Sequence, residues 1–377
     1  MGLACAFSRR AEGTQAFFEF GATSPSRRAR GAVMAKSPTL AQPSASATPG
    51  GGGTAAAVAL DRGAGASGGV DASQLGVATA RRATSPLSRV ITLVAVIAPA
   101  AGVLSAAGIT WGVAFRPLDL ILALVLYVTT GLGITVGYHR YFTHRSFETG
   151  TVVKALLAIL GAMTLQGPVT QWVTDHRKHH ARSDVEGDPH SPHRYGSGFN
   201  ATVRGLIHAH VGWLFTTKGM ERGERYGRDL YEDRVIRIID RLYLVWVALS
   251  IGLPFAVGFA FTGSVARGLE AMVWGGLVRI FCFEHATFAV NSICHSFGRR
   301  AYDARDESRN NWVVAWLTFG EGWHNNHHAF PRSARHGLGR GQVDCSWWVI
   351  RSLELVHLAH NLRLPTSAQQ ARVRRAS

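Results

Sequence analysis

The sequence predicts an all-α membrane protein: four transmembrane helices in a bundle, capped on the cytoplasmic side by a helical domain. Three observations carry that expectation. Four apolar stretches are each long enough to cross a bilayer at about 20 residues per span. All 17 histidines fall between His139 and His360, an unusually dense supply. Basic residues crowd one long loop between the second and third apolar stretches.

Residues 1–88 are rich in Gly, Ala, Ser and Thr. Stretches such as Ser44–Thr54 and Gly63–Gly69 bury too little apolar surface to offset chain entropy. They read as a disordered tail, or as residues preceding a true start at Met34 or later. An Arg/Ser/Ala-rich, acid-poor leader of this kind also resembles an organelle transit peptide. A membrane domain is expected over 89–366 and a second tail over 367–377.

The spans are read as Val90–Trp111, Leu118–Val136, Ile239–Phe261 and Leu269–Val290, the last interrupted at Glu284–His285. A short turn near Phe115–Pro117 makes the first two a hairpin. A fifth apolar run, Val152–Val169, holds Lys154, Gln166 and Pro168, and reads as a buried or interfacial helix. An amphipathic helix is expected around Trp347–Leu362. Four spans leave both termini and the 137–238 loop on one side. That loop carries Arg177, Lys178, Arg182, Arg222, Arg225, Arg228, Arg234 and Arg237, which marks the cytoplasmic face.

The net charge is +16, and no basic stripe with interleaved aromatics lies outside the membrane-flanking loops, which argues against nucleic acid as partner. The four cysteines form no CxxC pair, so neither a disulfide scaffold nor a thiolate metal site is expected.

Three histidine clusters stand out: His139 with His144, then His176, His179 and His180, then His324, His327 and His328. The last two repeat HxxHH. Residues i, i+3 and i+4 share a helical face, so each HxxHH is expected to aim three imidazoles at one spot. One first-row ion takes four to six ligands, and eight histidines are too many for one. Two ions are therefore inferred; imidazole alone does not choose between iron, zinc, copper and nickel. Asn291 and His295, at i and i+4 by the end of the fourth span, are either part of this site or a helix-end pair bonding carbonyls.

Together these pieces resemble the membrane fatty acyl desaturase family of the stearoyl-CoA Δ9 type, most nearly its actinobacterial acyl-CoA members. The likeness rests on Gly137–Phe147 (GYHRYFTHRSF), Trp172–Asp184 (WVTDHRKHHARSD), Gly187–Pro192 (GDPHSP), His210–Leu214 (HVGWL), Val290–His295 (VNSICH) and Gly320–Pro331 (GEGWHNNHHAFP). The resemblance implies a di-iron centre held by His139, His144, His176, His179, His180, His295, His324, His327 and His328. Asn291 matches a residue that holds a metal-bound water. His208, His210 and His285 fall outside the nine.

The implied reaction uses O2 and two electrons to place a cis double bond, expected at Δ9, in a long saturated acyl chain. No catalytic residue separate from the metal ligands is expected. Asp175, Asp184 and Glu321 are candidates to orient ligand imidazoles; Trp172, Trp213 and Trp323 either line an acyl tunnel or anchor at the bilayer surface. Vertebrate members carry Arg where this chain has Thr174, and Arg-Lys where it has Thr217-Lys218. The carrier is therefore left open between CoA, acyl carrier protein and lipid, with Lys218, Arg177 and Arg182 as phosphate contacts or solvated charges. No HPGG haem motif and no GxGxxG fingerprint occur, so a separate ferredoxin, or cytochrome b5 with its reductase, is expected as electron donor. The membrane is expected to be a bacterial plasma membrane, or a plastid membrane if the leader is real. Rival readings are a lipid hydroxylase on the same centre, a metal transporter and a zinc hydrolase. Transport sites lie near the bilayer midplane, whereas these histidines sit at span ends and in loops. A zinc hydrolase needs fewer histidines and an open site.

Overall fold

The computed structural model describes residues 86–110, 116–216 and 223–375. The expected tail or leader lies outside the described residues up to position 85. Four helices are long and apolar enough to cross a membrane. In chain order the elements that build the site are α1 (Pro86–Thr110), α2 (Pro117–Thr143), α3 (Thr151–Ala162), α4 (Val169–Arg182), α5 (Tyr243–Thr262), α6 (Val265–Ser292), α7 (His324–Ala329) and α8 (Cys345–Leu355). A two-residue ladder, β1 (Glu148–Thr149) antiparallel to β2 (Ala359–His360), ties the segment after α2 to the segment after α8.

The spans present apolar faces outward, as lipid-facing helices must: Val90, Val94 and Ile97 of α1 are exposed, as are Ile121, Leu124 and Val125 of α2. α2 and α6 run the same way, and both end at the histidine clusters. The last eleven residues of α2, Gly133–Thr143, are wound as a π-helix. Gly133 starts that segment, and a Cβ there would lie 2.2 Å from the backbone of Gly161 in α3. The missing side chain lets α3 seat directly against α2 and sets Tyr138 beneath α4, in a core with Phe142, Val169, Val173, Ile236 and Phe283.

Several boundaries differ from expectation. The run Val152–Val169 is not one helix. α3 stops at Ala162, Leu165 and Gly167 take positive φ (66° and 121°), and α4 starts after Pro168, whose ring ends a preceding helix. α3 is interfacial in character, with Val152 exposed and Leu157 and Ala158 buried. Ile239 belongs not to the third span but to a separate helix, Arg234–Arg241, where it is buried in the core beneath the cap. The fourth span runs unbroken through Glu284 and His285, both placed against protein neighbours rather than lipid. The amphipathic helix ends at Leu355, because His357 and Asn361 turn into left-handed φ (58° and 55°) and the chain joins β2 instead. Ser367–Val373, read as tail, form a short helix capped by Thr366 and bound back to the cap through Tyr302 and Asp303.

One charged residue braces the bundle at membrane depth. Arg279 of α6 is buried and donates to Gly275 O (2.9 Å), Thr130 Oγ1 (3.2 Å), Met163 O (3.2 Å) and Ser250 O (3.2 Å), and also to Ser250 Oγ. It thereby links α6 to α2, α5 and the turn after α3. Replacing Arg279 with Met should cost roughly 3–5 kcal/mol, since the buried acceptors lose their donor. A clear fall in the apparent melting temperature of the detergent-solubilised protein is expected; an unchanged melt would show that this brace is dispensable.

Candidate metal centre

Nine of the histidines gather into two groups, which are overlapped by two smaller sets, His139–Glu321–His336 and His179–Asp188–His190. His139, His144, His176, His180 and His327 form one; His179, His295, His324 and His328 form the other, with the ligand atoms of each within 4.8 Å of one another. Each HxxHH box is therefore split, against the expectation of one target per box. On an α-helix, i+4 lies about 40° to one side of i and i+3 about 60° to the other. His176 and His180 of α4 accordingly serve the first group and His179 the second. In α7, His324 and His328 serve the second and His327 the first. Two facing helices thus supply both sites with opposite assignments.

The first box reaches its group through the π-helix. His144 N bonds His139 O (3.2 Å), an i to i+5 closure that brings the two side chains onto one face, as an α-turn would not. His295 enters beyond the end of α6: the helix stops at Ser292, so Asn291 and His295 are joined by a turn rather than by one helical face. Asn291 lines the cavity below the centre, beside His139, His176 and His324.

Carboxylates orient four of the nine imidazoles at Nδ1. Glu321 bonds His139, Asp184 bonds His295 (2.7 Å), Asp188 bonds His179 (3.0 Å) and Asp306 bonds His328 (2.6 Å). An imidazole that donates from Nδ1 presents its Nε2 lone pair inward, the arrangement ligand histidines use. The Nε2 atoms of His144, His179 and His328 are buried without a hydrogen-bond partner, which fits a metal as the missing neighbour. Facing ring nitrogens stand close: His139–His327 3.1 Å, His180–His327 2.9 Å, His176–His180 3.2 Å and His295–His324 3.0 Å. Two nitrogens bound at about 2.1 Å and 90° would be roughly 3.0 Å apart, and at a tetrahedral angle roughly 3.4 Å.

Glu321 and Asp184 fulfil the expectation made for them, and Asp175 is buried in the cavity wall. Asp188 and Asp306 were not foreseen. Asp188 was visible inside GDPHSP, but Asp306 lies 22 residues before its histidine and left no local signal. Nor was Arg140 foreseen. It is fully buried inside the first box and bridges Glu321 (3.1 Å) and Asp344 (2.9 Å). Asp344 in turn accepts from Trp347 N (2.9 Å) at the start of α8 and from His336 N (2.7 Å).

The electrostatics favour neutral imidazoles. Burial, and then neighbouring imidazoles, push His144, His176, His180, His324, His327 and His328 well below the ordinary value. His179 is the exception: burial lowers it, but Asp188, Asp184 and Asp306 together outweigh burial and the net shift is upward. Burial alone would raise Glu321, yet His139, His336 and Arg140 hold it well below the usual carboxylate range.

A cavity of about 480 Å³ opens beneath the centre, walled by α1, α2, α4, α5 and α6. Trp172 and Trp213 line it; Trp323 does not, and instead bonds Val343 O (2.7 Å) on the outer side of α7. Trp172 stacks on His176 and donates to Gln166 (3.1 Å), which donates to Thr287 (3.0 Å), a polar brace across the wall. Of the foreseen phosphate contacts, Arg177 is neither free nor solvated: it is locked onto Asp229 (2.6 Å) and the Phe142 carbonyl (2.6 Å). Thr217, Lys218 and Arg222 lie outside the described residues. His208 pairs with Arg194, and His210 with His285 and Ser292, outside both groups.

Comparison with known proteins decides the kinship. The family described as "Fatty acid desaturase" matches residues 116–345. The chain belongs to the fatty acid desaturase family. It is 41% identical over 273 residues to a hex-5-enoyl-(acyl-carrier protein) acetylenase of Moorena producens, covering 72% of this chain and 85% of that one. It is 40% identical over 250 residues to an sn-1 stearoyl-lipid 9-desaturase of Anabaena variabilis (66% and 85%). An acyl-CoA 5-desaturase of Anemone leveillei is 39% identical over 256 residues (67% and 74%). The desaturase is thus a membrane oxidoreductase of fatty acyl chains, with histidine clusters suited to metal.

Removing an orienting carboxylate should loosen the metal. Glu321→Gln and Asp184→Asn are each expected to weaken metal affinity about 10–100-fold, read by competition with a chelator. Equal affinity in both variants would contradict the role given to these carboxylates. The metal-free protein should also lose stability in acid. Its depressed imidazoles stay neutral while the unfolded chain takes up protons near 6.5, so stability present above that pH falls below it. A melting temperature that stays flat on acidification would contradict this.

Proposed function

We propose that this desaturase places a cis double bond, at Δ9, in a long saturated acyl chain, at a centre of two iron ions. His139, His144, His176, His180 and His327 would hold one ion. His179, His295, His324 and His328 would hold the other, with Asn291 positioning a bound water. Iron there would supply the activation of O2 that lets unactivated C–H bonds break. In the balanced reaction the chain loses two vicinal hydrogens, and O2 with two electrons and two protons becomes two waters. The observation that carries this reading is the pair of convergent, buried histidine groups, each with its ligand atoms within 4.8 Å of one another.

The chain's own residues have four tasks. Asp184, Asp188, Asp306 and Glu321 fix the ring orientation of their histidines. The cavity walls exclude water from the acyl chain. The Trp172–Gln166–Thr287 brace keeps the wall beside His176 from shifting, which confines which methylene lies by the centre. Arg140, together with His139 and His336, holds Glu321 ionised against its burial. The carrier is a CoA, an acyl carrier protein or a lipid; the names of the three relatives span all three. A separate ferredoxin or cytochrome b5 supplies electrons. The cap faces the cytoplasm of a bacterium, or the equivalent compartment of a plastid, and residues 89–366 form the membrane domain.

Gas chromatography–mass spectrometry of fatty acids from a desaturase-deficient host tests this. The chain should yield Δ9 cis-monoenes, and a His179→Ala variant none. Monoenes at another position would overturn Δ9 alone; hydroxylated or acetylenic products would overturn the proposed reaction.

A further inference from the structure

A second cavity, of about 590 Å³, lies on the cap. Arg299, Arg300, Arg340, Arg374 and Arg375 line it, and no acidic residue does. Arg300 is paired with Glu307 (3.0 Å) and Arg375 with Asp303 (3.7 Å). Arg299, Arg340 and Arg374 are exposed and form no ion pair among the described residues. Three uncompensated guanidinium groups around one concavity call for an anionic occupant.

Its floor bears on the metal centre. Trp323 and Asn326 line the cleft, and each directly precedes a histidine: His324 of one group and His327 of the other. Asn326 is pinned by Asn310 (2.7 Å), Gln342 (2.8 Å) and the His336 carbonyl (2.8 Å), so the floor is rigid. The cleft and the acyl cavity share no lining residue: α7 turns His324 to the acyl cavity and Asn326, two residues and about 200° further round the helix, to the cleft. An acyl carrier held in the cleft would not stand over the acyl cavity. An electron donor seated there would need only α7 between itself and both histidine groups.

We propose that this arginine cleft docks an acidic electron-transfer protein, with Trp323 and Asn326 as the entry to the metal centre. The proposal rests on the reading that the reaction draws two electrons from a separate protein. Each docked donor is oxidised by one electron, so two dockings serve each double bond. Opposite charge across such an interface speeds encounter and makes it salt-dependent.

The test compares the metal-loaded wild type with the Arg299→Glu/Arg340→Glu/Arg374→Glu variant in nanodiscs of neutral lipid. Each is titrated with an acidic 2Fe–2S ferredoxin and, separately, with the soluble domain of cytochrome b5. The wild type should bind at least one of them, more weakly as salt rises. The variant should bind about tenfold more weakly or worse, and be reduced slowly by the donor but normally by dithionite. Unchanged donor binding in the variant would overturn the proposal, as would failure of the wild type to bind either protein. So would a defect confined to KM for the acyl substrate, which would mark the cleft as a carrier site. Binding is read without turnover. A wild type that binds the donor yet forms no monoene would therefore sink the proposed reaction and leave the docking site standing.

Discussion

Everything at the centre depends on keeping nine buried imidazoles aimed inward, and the bonds that fix this aim for four of them are the carboxylate–Nδ1 hydrogen bonds. Without them, rings at N···N distances near 3 Å would be free to rotate away from the shared target. The best anchored is the path Asp344–Arg140–Glu321–His139. It begins at the cap of α8, crosses a fully buried guanidinium and ends on a ring in the π-helical end of α2. Three chain segments far apart in sequence are tied together by it. An isolated carboxylate at such depth would rather protonate than stay charged; the neighbouring Arg140 and imidazoles reverse that preference.

The fold follows from the same constraint. Two spans ending on one side supply His139 and the approach to His295, while α4 and α7 bring the HxxHH boxes face to face. The π-winding of Gly133–Thr143 is the local irregularity that lets His139 and His144 share a target. It is possible because Gly133 allows α3 to press against α2 at the point where the winding changes.

Much of this was legible in the residues. Apolar length alone gave four spans, although the second runs seven residues past the expected Val136; histidine spacing gave eight of the candidate ligands, and His295 came from the family resemblance. Three things were not legible. The splitting of each HxxHH between two groups depends on two helices facing each other, which a single helical wheel does not encode. Asp306 and Arg140 act through tertiary contacts, so no spacing rule marks them. Boundaries failed where one or two residues in left-handed conformation, Leu165, His357 and Asn361, redirect an otherwise periodic pattern. Arg177 shows the same limit for charges: a basic loop residue reads as solvated until its partner, Asp229, is folded against it.

The measurement that tests this account most directly is anomalous diffraction at the iron edge from crystals of the purified protein. Two peaks are expected, one enclosed by His139, His144, His176, His180 and His327 and the other by His179, His295, His324 and His328. A single peak, or signal that appears only at the zinc edge, would contradict the two-iron centre on which the proposed chemistry rests.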